Sequence, residues 1–233
     1  MNAAPELTVM TLTLNEAGAL GEFLGRLKPI SDLVPGFELL IVDGGSTDGT
    51  VEIAQRAGAR LVRQSLPGYG NAYREGLELA RGRWILTMDA DGSHPPEFFA
   101  ELWRRRDDWD VVMGSRYLSV KGDSRPRLRR VMSWFLNLVF STFLGVPLTD
   151  ISGGFRLYRA SAAHGAQSVA PHYDVVADVI LRLYGRGFRI LEIPYHYELR
   201  KAGESKARLL SYSLSYIQTL LKMWWWLRFG PRG

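Results

Sequence analysis

The chain of 233 residues has no cysteine and only four histidines, and it holds no unbroken apolar run long enough to cross a bilayer. Without cysteine there is no disulfide framework and no thiolate metal site, which fits a protein of the cytosolic side. The histidines, at 94, 164, 172 and 196, are scattered and read as structural or surface residues. The first residues, Met-Asn-Ala-Ala-Pro-Glu, have neither a basic nor an apolar leader segment, so no signal peptide is expected. The most apolar stretches are 131–148, interrupted by Ser133, Asn137 and Ser141, and 209–229, interrupted by serines, Gln218 and Lys222. Neither is a clean transmembrane helix, though either can lie on a membrane. There is no Walker A sequence and no Gly-x-Ser-x-Gly elbow, so ATPase and serine-hydrolase chemistry lack support. Gly68-x-Gly70-x-x-Tyr73 lacks the third small residue of a dinucleotide fingerprint and reads as a tight turn. No internal repeat or low-complexity segment is present.

What is there is a core and a charge. A hydrophobic share of 46% suffices for one α/β domain, and a net charge of +5 suggests an anionic partner: nucleic acid, phosphorylated ligand or acidic lipid surface. Apolar, β-branched runs at 7–14, 37–42, 59–63, 83–88 and 110–114 read as strands. Helical segments at about 15–27, 50–57, 68–80 and 95–106 alternate with them. Short turns between alternating strands and helices imply a mostly parallel sheet with helices on both faces. Beyond Gly114 come a basic loop at 121–130, an apolar helix at 131–144 and a turn into a strand at 150–158. A helix at about 173–185, a strand at 188–197, a polar loop at 200–206 and an aromatic helix at 209–227 complete the chain. This second half reads as an elaboration of the same domain.

The chemistry concentrates where the fourth strand ends in Asp89-Ala90-Asp91-Gly92. Open α/β sheets bind ligands at the carboxyl ends of their strands. Two carboxylates there repel each other unless a cation lies between them, and an all-oxygen ligand set favours Mg²⁺ or Mn²⁺ holding a phosphate. Helix capping needs only one such acid. Glu16 and Asp43 close the first two strands and should converge on the same edge, where each can accept a hydrogen bond from a base N–H or a ribose hydroxyl. Arg116, following the fifth strand, lies near the acid pair by the same logic. Lys206, in Gly203-Glu-Ser-Lys206, is a candidate phosphate clamp, whereas Arg104–Arg106 read as a solvated face. In Trp224-Trp225-Trp226, neighbouring residues diverge by about 100° on a helix, so the three cannot share one core. With Lys222 and Arg228 beside them they resemble an interfacial anchor.

Taken in order, Thr13-x-Asn15-Glu16, Val42-Asp43-Gly-Gly-Ser-Thr-Asp48-Gly-Thr50, Gly68-x-Gly70-x-Ala72, Asp89-Ala-Asp91-x-x-His94-x-Pro96, Gly114-Ser-Arg116-Tyr117, Ser152-Gly-Gly-Phe155-Arg156-Leu-Tyr158 and Gly203-Glu-Ser-Lys206 resemble glycosyltransferase family 2, most nearly its polyprenol (dolichyl) phosphate mannose synthases. The resemblance implies a GT-A fold over residues 1–206, with a nucleotide-sugar half (1–115) and an acceptor half (116–206), followed by an amphipathic helix at 207–233. It implies inverting transfer from a nucleotide sugar, GDP-mannose in the most similar relatives, to a polyprenyl (dolichyl) phosphate, with Mg²⁺ or Mn²⁺ and no nucleic acid. Leu12, Leu14, Glu16, Val42, Asp43 and Ala90 would surround the nucleotide, and Asp89 and Asp91 would hold the metal and diphosphate. Arg116, Arg129 or Arg130, Arg200 and Lys206 would grip the acceptor phosphate and leaving diphosphate, with Asp91 and Arg116 as the catalytic pair. The chain departs from the pattern at Leu14, where the family has an aromatic residue, and at Gly44, where it has a second acid. It also lacks the family's frequent C-terminal transmembrane helices, which implies a peripheral protein on the cytoplasmic side of a membrane. The alternatives are a UDP-glucose or UDP-GlcNAc donor, another acceptor, or a non-catalytic nucleotide- or membrane-binding module.

Overall fold

The computed structural model describes residues 4–118, 126–198 and 209–230, with the side chains of 209–214 left out. The first strand, β1 (Leu7–Thr13), is followed by α1 (Ala17–Gly25), α2 (Lys28–Leu33), β2 (Glu38–Asp43), α3 (Thr50–Arg56) and β3 (Arg60–Arg63). Next come α4 (Tyr69–Leu79), β4 (Trp84–Thr87), α5 (Phe99–Arg105) and β5 (Val111–Ser115). The remaining elements are α6 (Arg127–Leu144), β6 (Arg156–Arg159), α7 (Ala160–Gly165), α8 (Val175–Gly185), β7 (Ile190–Pro194) and α9 (Leu209–Phe229).

One seven-stranded sheet runs in the order β3-β2-β1-β4-β6-β5-β7. The expected mostly parallel α/β architecture is present: β1 pairs parallel with β2 and β4, β2 with β3, and β5 with β7. The exception is β6, which enters between β4 and β5 and runs antiparallel to both. Alternation of side chains across the sheet explains why its strands are apolar throughout. Met10 and Leu40 enter a core with Tyr73, Val179 and Ile180 on one face, while Val9 and Ile41 enter a second with Leu20, Phe23 and Trp84 on the other.

Two short helices, α2 and α7, differ from the sequence expectation. The helix expected through residue 27 ends at Gly25, and Pro29 sits in the first turn of the next, where its missing N–H costs nothing. The expected C-terminal helix is packed into the body: Met223 is fully buried, and Trp224 and Trp226 pack against the core while Trp225 stays exposed. Among the described residues no helix is long and apolar enough to cross a membrane.

Candidate active site

The strand tips are tied together before any ligand is considered. Asn15, after β1, adopts a left-handed backbone (φ 52°), which asparagine tolerates better than most residues. Its N–H donates to Ser46 Oγ at 2.8 Å, and its Oδ1 accepts from the Thr47 N–H at 2.8 Å. Glu16 N donates to Thr50 Oγ1 at 2.9 Å and Ala17 N to Asp48 Oδ2 at 3.0 Å. The polar run after β2 thus serves mainly to clamp the β1 loop. Asp43 organises its own turn: its carboxylate accepts from Thr13 Oγ1 (2.9 Å), Gly45 N (2.8 Å), Ser46 N (2.8 Å) and Ser46 Oγ (2.5 Å). Burial alone would raise its pKa, but these donors outweigh it and hold the carboxyl below its usual value.

At the end of β4 the two acids differ. Asp91 is buried and accepts from Ser93 N at 2.9 Å, beyond a left-handed Gly92 (φ 80°), whereas the Asp89 side chain is 46% exposed. The backbone N–H of Asp89 donates to His94 Nδ1 at 3.0 Å, which places the ring proton on Nε2, 3.8 Å from Asp89 Oδ2. The His94 ring stacks on Phe155 with centroids 4.9 Å apart, fixing its plane.

Opposite stands Arg116, just after β5. Its Nε donates to Asp150 Oδ2 at 2.7 Å, and its Nη2 to Asp150 Oδ1 at 2.5 Å and Ser152 Oγ at 2.9 Å. Burial works against both charges, yet each partner stabilises the other, so Arg116 titrates well above and Asp150 below the usual value. Glu192 on β7 supports the pair from behind, accepting from Thr149 N and Asp150 N, each at 2.7 Å. Burial raises the Glu192 pKa in spite of those donors.

A cavity of about 430 Å³ joins these parts. Its wall includes Leu12, Leu14, Glu16, Asp89, Ala90, Asp91 and Arg116, together with Gln64, Ser152 and four tyrosines, Tyr69, Tyr173, Tyr197 and Tyr216. Tyr69 and Tyr173 stack with centroids 4.3 Å apart, and Tyr216 OH reaches Tyr173 O at 3.3 Å from α9. Acids beyond one strand tip that share a cavity with a fixed guanidinium make a site suited to bridging two phosphorylated ligands.

The profile of the family described as Glycosyl transferase family 2 matches residues 8–165. The chain belongs to that family. This glycosyltransferase is 37% identical over 215 residues to an undecaprenyl-phosphate mannosyltransferase of Micrococcus luteus, covering 86% of this chain and 87% of the relative. It is 32% identical to a dolichyl-phosphate hexose transferase of Haloferax volcanii (86% of each chain). It is 34% identical to a polyprenol monophosphomannose synthase of Mycolicibacterium smegmatis, over 85% of this chain and 79% of that one. Among solved structures, glucosyl-3-phosphoglycerate synthase from Mycobacterium tuberculosis, in complex with Mn²⁺, UDP-glucose and phosphoglyceric acid, superposes with a TM-score of 0.74. At 20% identity over 94% of this chain and 80% of that one, it shares the fold.

Four of the expected site residues lie away from the cavity wall. Val42 is fully buried in the core beside Met10 and Tyr73, because it precedes the strand tip and points into the sheet's packed face. The Asp43 carboxylate is occupied by its own turn and lines a separate, smaller pocket with Ser46 and Arg63. Arg129 and Arg130 are exposed on the first turn of α6. Arg200 and Lys206 lie outside the described residues. In the glycosyltransferase as folded, sequence reasoning missed Asp150, Ser152, His94 and the cavity tyrosines. Ser152 and His94 stood in quoted motifs and Asp150 began the turn just before one, but only their contacts assign them a task.

Proposed function

We propose that this glycosyltransferase moves a hexose, mannose from GDP-mannose, to a polyprenyl (dolichyl) phosphate with inversion at the anomeric carbon. The observation that carries the reading is the gathering, in one cavity, of Asp89 and Asp91 from the loop after β4 with an Arg116 already oriented by Asp150. The named relatives from M. luteus, H. volcanii and M. smegmatis, which carry polyprenyl-type names, support the acceptor class.

The paired carboxylates are a hard, all-oxygen donor set with one buried and one open member, which fits Mg²⁺ or Mn²⁺ held jointly with a diphosphate. When bound, such an ion neutralises charge developing on the leaving diphosphate. Asp91 and Asp89 would hold it. Glu16, Leu12, Leu14 and Ala90 line the nucleotide end, and Arg116 receives the acceptor phosphate beside the Ser152 hydroxyl. A phosphate monoester has a second pKa of about 6, so the acceptor oxygen is already anionic at neutral pH. The chain therefore needs no strong general base, and its task is to hold two anions in line. Arg200 and Lys206 are assigned to the same phosphates on their sequence context.

The acceptor's lipid implies a membrane surface. Among the described residues, α6 exposes Trp134, Phe135 and Phe143, and α9 exposes Ile217, Leu221 and Trp225, with Arg127, Arg129 and Arg130 heading α6. We assign this face to peripheral contact with an anionic leaflet on the cytoplasmic side. The test is transfer of label from GDP-mannose to a short-chain polyprenyl phosphate with Mn²⁺ or Mg²⁺. A solvent-extractable mannosyl lipid is expected, and its absence with every GDP- and UDP-hexose tried would refute the reading.

A further inference from the structure

We propose that Asn137 is a positioning residue of the acceptor site, which turns the Ser152 hydroxyl into a hydrogen-bond donor for the acceptor phosphate beside Arg116. This rests on the polyprenyl-phosphate reading of the cavity and deepens it.

The buried face of α6 carries Asn137, Phe140 and Leu144, spaced as one helical stripe. Two of the three are apolar. Asn137 is only 2% exposed, and an amide in such a place is costly unless its polar atoms are paired. They are. Its Oδ1 accepts from Ser152 N at 3.0 Å, and its Nδ2 donates to Ser133 O at 2.8 Å and to Ser152 Oγ at 3.0 Å.

Those partners fix which end of the amide is which. A backbone N–H only donates and a backbone carbonyl only accepts, so the amide oxygen must face Ser152 N and the nitrogen must face Ser133 O. Ser152 Oγ therefore lies against an N–H and has to accept. Its second contact imposes the same role. Arg116 Nη2 offers only hydrogens, and it donates to Ser152 Oγ at 2.9 Å.

A serine hydroxyl has two lone pairs and one hydrogen. Here both lone pairs are filled, and the hydrogen alone remains to be placed. The one other contact of Ser152 Oγ among the described residues is Ser133 Oγ at 3.5 Å, beyond the ordinary O–H···O range of about 2.5–3.0 Å. Ser133 Oγ already accepts the Tyr117 hydroxyl at 2.6 Å. Ser152 lines the cavity, whereas Asn137 does not. The Ser152 O–H is thus left for a ligand in the cavity, where it acts as a donor and not as an acceptor.

Beside it stands the guanidinium held by Asp150. One charged and one neutral donor, side by side, suit two oxygens of a single phosphate group. Asn137 touches neither the ligand nor Arg116, and it acts through the hydroxyl that it orients.

The test is steady-state transfer to a short-chain polyprenyl phosphate with Mn²⁺, from whichever GDP- or UDP-hexose the wild type uses. Calorimetric binding of the matching nucleoside diphosphate accompanies it, for wild type, Asn137→Ala, Ser152→Ala, the double variant and Ser152→Thr. Ser152→Ala should raise the acceptor KM about tenfold or more with kcat held within about twofold, as expected for a lost hydrogen bond to a charged ligand. Asn137→Ala should raise that KM about fivefold in the wild type, yet add less than about twofold to Ser152→Ala, because its effect passes through the same hydroxyl. Ser152→Thr, which returns the hydroxyl, should recover most of the loss. Nucleoside diphosphate affinity should stay the same throughout, whereas a residue that merely packs α6 would lower Tm and that affinity together. An acceptor KM untouched by Ser152→Ala, or an Asn137→Ala loss of equal size in both backgrounds, overturns this assignment and leaves the transferase reading in place. Should Asn137→Ala fail to fold, the two Ser152 variants decide it, and equal KM values in Ser152→Ala and wild type overturn it. A wild type that transfers no hexose from any of these donors overturns it together with the acceptor reading.

Discussion

Arg116 and Asp150 form a two-point ion pair, Nε to Oδ2 at 2.7 Å and Nη2 to Oδ1 at 2.5 Å, with the carboxylate fully buried. The Arg116 backbone N–H also donates to Asp150 Oδ2, at 2.9 Å. The guanidinium thus reaches the cavity wall already oriented, and Nη1 has no hydrogen-bond partner among the described residues. A planar fork held along one edge presents the other to a ligand oxygen without further ordering cost.

Removing Asp150 should therefore hurt twice. Asp150→Ala leaves Arg116 buried without its counter-charge, a loss of about 3–5 kcal/mol measurable by urea unfolding. Arg116→Lys, which keeps the charge but not the fork, should fold and yet raise the KM for polyprenyl phosphate by about tenfold or more. An unchanged acceptor KM in Arg116→Lys would remove Arg116 from the acceptor site.

The acid pair predicts a different pattern. Asp91→Asn should lower kcat by about a hundredfold or more and abolish the extra thermal stability that Mn²⁺ and nucleoside diphosphate confer together. Asp89→Asn, at the more exposed acid, should retain part of that shift. Near-wild-type transfer by Asp91→Asn would sink the metal assignment.

His94→Phe should preserve the stack on Phe155 while deleting the acceptor for the Asp89 N–H. The freed loop is expected to cost about fivefold in donor affinity with little change in Tm, as a lost hydrogen bond of about 1 kcal/mol would. Equal losses in Tm and affinity would instead mark His94 as a packing residue.

Acid should unfold the protein through Asp43 and Asp150, both of which titrate below their usual values in the fold. The sign follows from linkage. A carboxylate with a depressed folded pKa contributes stability above its unfolded value of about 3.9, and loses it as pH falls through the folded value. Urea midpoints between pH 7 and pH 2 should therefore fall below about pH 4, and Asp43→Asn should flatten that limb. A limb unchanged in Asp43→Asn would locate the acid sensitivity elsewhere.

The exposed face of α6 and α9 gives a last expectation. Trp225→Ser combined with Phe135→Ser removes two large exposed apolar side chains and should reduce co-sedimentation with anionic vesicles about tenfold or more. Donor binding should be untouched, since neither residue lines the cavity.

The amino-acid sequence on its own determined the alternation of strands and helices, the acids at the tip of β4 and the family. Each is a local pattern: apolar runs ended by turn residues, and short motifs whose spacing survives without knowledge of contacts. The tertiary structure alone decided which polar residues line the cavity. Asp43 and Asp89 look alike in sequence, both acids closing apolar strands. The turn after β2 folds back and buries the first among its own donors, whereas the second lines the cavity with its side chain 46% exposed. Likewise the reversal of β6, which follows Asp150 and Ser152 in the chain, depends on pairings such as Met113 with Arg156 and Trp84 with Arg159, between residues far apart in the chain. Partners so distant in the chain are chosen by packing, and no local pattern encodes them.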